Sequence, residues 1–122
     1  MKRRVVCGVC VGAALLFAGA WITFAEPKGD EITVKGEVVD LWCYLEGGDH
    51  GAEHKDCATM CAKAGNPIGI LDEKGNLYVA MGLKEHQPGK DLLSDKMANT
   101  VTIEGILVKK GGTQVIYIAS VK

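Results

Sequence analysis

The runs TVTIEGILV (100–108) and TQVIYIASV (113–121) alternate apolar with polar residues on either side of Lys109-Lys110-Gly111-Gly112. A period of two sends successive side chains to opposite faces of a strand, and paired glycines supply the positive φ of a tight reversal. The segment therefore predicts a β-hairpin. A second hairpin is predicted where 68–71 (IGIL) and 77–81 (LYVAM) flank the turn residues Asp72-Glu73-Lys74-Gly75-Asn76. A further strand begins near Ile32. Its apolar phase runs through Ile32, Val34 and Val38, then passes to Val39, Leu41 and Cys43, which predicts a strand over 32–43 bent by a bulge near Gly36. Residues 82–99 contain Pro88 and read as a loop with one helical turn near 91–97.

Five short strands in under a hundred residues predict a mainly β chain. The expected architecture is a small five-stranded barrel of the oligonucleotide/oligosaccharide-binding (OB) type, with a Cys/His-bearing helical insert after strand 1. The usual version of that barrel carries its helix between the third and fourth strands. A β-sandwich is the alternative.

Upstream of the strands, Lys2, Arg3 and Arg4 precede the uncharged run VVCGVCVGAALLFAGAWI, and Thr23-Phe24-Ala25 leads into the polar Glu26-Pro27-Lys28-Gly29-Asp30. A basic start, an apolar middle and a small residue before a polar segment describe a signal peptide, expected here over 1–25. The single domain would then occupy 26–122 and lie in the periplasm or outside the cell. A run of eighteen apolar residues is also at the short edge of a membrane span, so an uncleaved anchor is the competing expectation. Cys7 and Cys10 read as small apolar residues of that leader. Without Lys2, Arg3 and Arg4, eleven lysines face 15 acidic residues, a net charge of −4. A domain that gripped phosphate backbones would carry a basic face with arginine forks, so nucleic acid is not an expected partner.

The stretch WCYLEGGDHGAEHKDCATMC (42–61) holds the three remaining cysteines and two histidines. His50, His54, Cys57 and Cys61 stand at i, i+4, i+7 and i+11, one stripe on a helix face. The helix is expected to stop at Lys63-Ala64-Gly65-Asn66-Pro67, where a Gly is followed by a proline. Side chains at i and i+4 point the same way about 5–6 Å apart, an awkward disulfide and a good chelate. Cys43, arriving from the strand, would complete a Cys₃His set with His54, Cys57 and Cys61, with His50 as a further candidate. Such a set suits zinc, and its soft sulfurs equally suit copper(I). The metal-binding insert is expected over 43–65.

Two other readings stand beside the metal. Outside the cytosol disulfides are the default, so Cys43 bonded to Cys57 or Cys61 would leave a stapled barrel that binds a protein partner or small ligand. A redox-active pair would want two residues between its cysteines, and Cys57 and Cys61 have three. His86 reads as a solvated surface residue. Met60, Met81 and Met97 read as core fillers, and Trp42 and Tyr44 as residues flanking Cys43 on the other strand face. Asp49, Glu53 and Asp56 suit the start of a helix. No nucleophile elbow, phosphate loop or spaced carboxylate pair is present, and the expected function is exported metal binding, for structural, storage or delivery purposes, rather than catalysis.

The segment 36–82 also resembles a group of small exported bacterial OB-like proteins with a Gly-x-Val-Val-Asp, Cys-Tyr, His-x-x-Cys-Ala-x-x-x-Cys and Gly-x-Pro-x-Gly order. The matching residues are Gly36, Asp40, Cys43, Tyr44, His54, Cys57, Ala58, Cys61, Gly65, Pro67 and Gly69. The resemblance implies a small barrel behind a signal peptide and implies that Cys43, His54, Cys57 and Cys61 form one unit. It implies no particular activity.

Overall fold

The computed structural model describes residues 25–122. The expected leader, apart from Ala25, lies outside the described residues. Among the described residues no helix is long and apolar enough to cross a membrane.

Five strands close into a barrel: β1 (Asp30–Asp40), β2 (Ile68–Asp72), β3 (Leu77–Gly82), β4 (Thr100–Lys110) and β5 (Thr113–Val121), in the order β1-β2-β3-β5-β4. The mainly β, OB-like barrel expected from the sequence is the fold found. Both hairpins form as expected. Gly111 and Gly112 take positive φ between β4 and β5, and Gly75 does so between β2 and β3. There Asp72 Oδ1 accepts from the backbone N–H groups of Lys74 and Asn76 at 2.9 and 2.8 Å. β3 and β5 run parallel and every other neighbouring pair is antiparallel.

β1 closes the barrel by pairing on both sides. Asp30 to Glu37 pair with β4, while Gly36 to Asp40 pair with β2. Gly36 stands where the two ladders overlap, and a Cβ there would lie 2.6 Å from the carbonyl oxygen of Leu71. The strand therefore needs a glycine at this position for close approach rather than for a bulge. The register shift found in the sheet lies instead between Glu104 and Gly105.

The core gathers Val34, Val38, Ile70, Ile103, Ile116 and Ile118 from the barrel, with Ala58, Ala62, Leu93 and Met97 from the connections. Val38 and Val39 point to opposite faces of β1, yet both are buried. Val38 belongs to the core cluster that also holds Ala58 and Ala62 of the helical insert, and Val39 on the other face is buried too, which produces the apparent change of phase in the sequence.

The strand ends three residues earlier than the alternation suggests. Asp40 accepts from Cys43 N–H at 3.0 Å and caps a short helix, α1 (Leu41–Gly47). Cys43 therefore lies on a helix, and so do Trp42 and Tyr44. Gly48, with φ 77°, ends α1. A 3₁₀ turn (Ala52–His54) then leads into α2 (Lys55–Ala64), which stops as expected at Gly65, φ 105°, with Asn66 N–H donating to the Cys61 carbonyl at 3.0 Å. Between β3 and β4 a third helix, α3 (Lys90–Leu93), runs into a 3₁₀ turn (Ser94–Lys96), matching the helical turn expected near 91–97. The larger helical element is the one after β1.

Candidate metal centre

The insert brings its donor groups in from two directions. Asp40, by capping α1, fixes Cys43 in the first turn of that helix. Opposite, α2 carries Cys57 and Cys61 one turn apart, with His54 at its N-cap. Cys43 Sγ, a ring nitrogen of His54 and Cys57 Sγ all lie within 4.8 Å of one another. So do Cys43 Sγ, Cys61 Sγ and a carboxylate oxygen of Asp40. All three cysteines are free thiols, half-buried at this junction.

The stripe expected over four helical positions is shorter in the fold. α2 begins at Lys55, so only Cys57 and Cys61 share true helical spacing, and His54 joins them through the preceding turn. His50 lies before that turn, between Gly48 and Gly51, both with positive φ. Its Nδ1 sits 3.1 Å from Glu37 Oε2, and its ring meets Tyr44 edge-on at 5.9 Å. His50 belongs to neither group of converging donors. The Glu37 carboxylate also accepts from Gly51 N–H, so it ties the loop back to the barrel.

Asp40 is the site residue that spacing alone does not reveal. It is 1% exposed, and Oδ2 is occupied by the Cys43 amide. Oδ1 is buried with no hydrogen bond of normal geometry, as is His54 Nε2. No lysine or arginine pairs with Asp40 among the described residues. An Asp immediately before an apolar helix start is a capping signal, and that signal was available in Asp40-Leu41. Period-two alternation carried past it conceals the cap.

The carboxylate shapes the thiols. The protonated Cys43 thiol donates to the Asp40 carboxylate, and this, with burial and the carboxylate's charge adding to it, pushes Cys43 up to about 12. Burial foremost, then the charge of Asp40, raises Cys61 as well. Left alone, these thiols keep their protons well above neutral pH. A bound cation reverses that preference, because it stabilises thiolate directly, and metal uptake then releases protons. The group can thus hold a metal ion: sulfurs, an imidazole nitrogen and a carboxylate oxygen come together in two sets of three donors.

Other expected features take ordinary places. His86 is solvated and 3.2 Å from Glu85. Met97 fills the core, whereas Met60 and Met81 are exposed, which corrects their reading as core fillers. Trp42 is exposed too. A cavity of about 910 Å³ lies apart from the cysteines, between Pro67, Met81, Gln87, Pro88 and Tyr117. Comparison with family models, curated proteins and solved structures finds no match to this chain. Function must be argued from the donor groups.

Proposed function

We propose that the chain is an exported metal-binding domain that holds zinc, with copper(I) as the alternative ion, for structural, storage or delivery purposes. The observation that carries this reading is the convergence of Cys43, His54 and Cys57, from separate elements, within 4.8 Å of one another. Cys61, one turn beyond Cys57, is the candidate fourth ligand. Three thiols and an imidazole are the donor set of structural zinc, and the same sulfurs favour copper(I) on grounds of softness. Cys43, His54, Cys57 and Cys61 taken together would fill the four positions of a single ion, which favours holding over hydrolysis for that arrangement. A metal also accounts for an odd number of thiols outside the cytosol, since it holds thiolates without pairing them.

The second reading is a disulfide from Cys43 to Cys57 or Cys61, leaving an OB-like barrel that binds a periplasmic protein partner or a small ligand. It draws on the same closeness of the sulfurs. Elemental analysis and thiol counting on protein recovered from the periplasm separate the two. The metal reading expects bound zinc or copper and thiols that react only after a chelator is added. Metal-free protein with one reactive thiol and a mass two hydrogens light would establish the staple. The same mass measurement tests the leader: a chain beginning at Glu26 supports cleavage, and the whole chain in the membrane fraction supports an anchor.

A further inference from the structure

The donors form two overlapping sets. They fall into two triads that share only Cys43: Cys43 with His54 and Cys57, and Cys43 with Cys61 and Asp40. Each triad contains one buried polar atom without a partner, His54 Nε2 in the first and Asp40 Oδ1 in the second. An ion in the first triad has no claim on Asp40. That carboxylate would remain in the interior, 1% exposed, with an unused oxygen.

Charge makes the same division. Three thiolates and one carboxylate supply four negative charges at a half-buried junction. One divalent ion in the first triad takes up the Cys43 and Cys57 thiolates and leaves Cys61 a neutral thiol, so the Asp40 carboxylate stays uncompensated, with no lysine or arginine paired to it among the described residues. Two divalent ions bring the cluster to neutrality. Uncompensated buried charge is among the costlier features a fold can carry, so the neutral state is the favoured one.

We propose that the cluster binds two divalent cations of borderline softness, zinc being the type, one in each triad, with the Cys43 thiolate bridging them. The proposal rests on the metal-binding reading above and extends it. His54 and Cys57 complete the first ion's protein ligands. Asp40 and Cys61 complete the second's. A thiolate sulfur keeps enough lone pairs to serve two ions, and water fills the remaining positions. Loading both ions transfers three protons, one from each thiol, to solvent. The imidazole binds as the neutral ring.

Cobalt(II), which absorbs when bound to thiolate, is the probe. The full chain, stripped of metal under reducing conditions, is titrated while the thiolate-to-cobalt absorbance is followed, and zinc is then used to displace the cobalt. Two equivalents are expected for the unmodified chain and one for Asp40→Asn, a substitution that keeps shape and the capping oxygen while removing charge. Circular dichroism checks that the variant is folded. If it is not, Cys61→Ser takes its place and is likewise expected to bind one. Saturation of the unmodified chain at one equivalent, or an unchanged count of two in the folded variant, would overturn the two-ion proposal and leave single-ion binding standing. No cobalt or zinc bound at all would overturn both readings.

Discussion

Glu104 and Asp40 are both carboxylates placed at strands of the same barrel, and the molecule treats them in opposite ways. Glu104 on β4 accepts from Lys122 Nζ at 2.6 Å and from Ser120 Oγ at 2.8 Å, which together hold its carboxyl below the usual value. Asp72, in the β2–β3 turn, is pushed up by burial, but hydrogen bonds from Asn76, Lys74 and Tyr78 outweigh this and leave it lowered as well. Both are served from within the chain. Asp40 has one backbone donor, no cationic partner and an unused buried oxygen. The barrel completes its own polar groups, whereas the insert holds buried polar atoms, Asp40 Oδ1 and His54 Nε2, that nothing in the chain completes among the described residues.

Substitutions in the two regions should therefore separate metal binding from folding. The largest effect is expected for Cys43→Ser, because Cys43 belongs to both groups of donors. Elemental analysis should find no bound zinc or copper in this variant; retention of a full complement would show that the donors do not depend on their shared member. Ile103, fully buried in the barrel core, is the counterpart. Ile103→Ala should lower unfolding free energy in urea by about 2–5 kcal/mol while the folded protein keeps its metal content. Loss of metal from still-folded Ile103→Ala would mean that the barrel and the donor set are not separable.

A smaller effect is expected at Gly36, where an added Cβ meets the Leu71 carbonyl oxygen at 2.6 Å and Ile70 Cγ2 at 2.8 Å. Gly36→Ala should cost about 1–3 kcal/mol through forced displacement of β2, again read by urea unfolding. A neutral result would indicate that the two ladders on β1 separate easily. The smallest effect is acid sensitivity of the barrel's own carboxylates. Asp72 and Glu104 have folded pKa values below their unfolded ones, so the stability they add is present above about pH 4 and is lost as pH falls through the folded values. Asp72→Asn should flatten part of that decline in a thermal-melting series from pH 6 to pH 2. An identical decline in the variant would show that Asp72 contributes nothing to it.

Local chemistry was the legible part of this sequence. Both hairpins follow from residues that sit inside the turns themselves, Asp72 with Gly75 and Gly111 with Gly112, and each needs no knowledge of the rest of the chain. The end of α2 at Gly65 and the i, i+4 pairing of Cys57 and Cys61 are local in the same sense. What escaped depends on distant partners. Val39 is buried although it faces away from Val38, so its burial mimics a change of phase and draws the strand on to Cys43. His50 looks like the start of a helical stripe until Glu37, thirteen residues earlier, takes hold of its ring. Asp40 reads as the polar member of an alternating strand, and only the turn of α1 over it turns it into a cap and a candidate ligand.

Closure of the barrel has a consequence for how copies of this chain meet. In an open sheet the outermost strands expose unpaired N–H and C=O groups, and another molecule can extend the sheet by adding a strand there. Here β1 joins β2 on one side and β4 on the other, so the sheet has no first or last member. Growth of fibrils by strand addition lacks a starting rim as long as the β1–β4 seam holds. Self-association of the barrel is left to side chains, and among the described residues the most exposed large apolar ones, Trp42, Leu45 and Met60, lie on α1 and α2, with the less exposed Met81 on β3. Copies that stick together without unfolding should therefore do so through the helices, with the strands of each barrel still paired only among themselves.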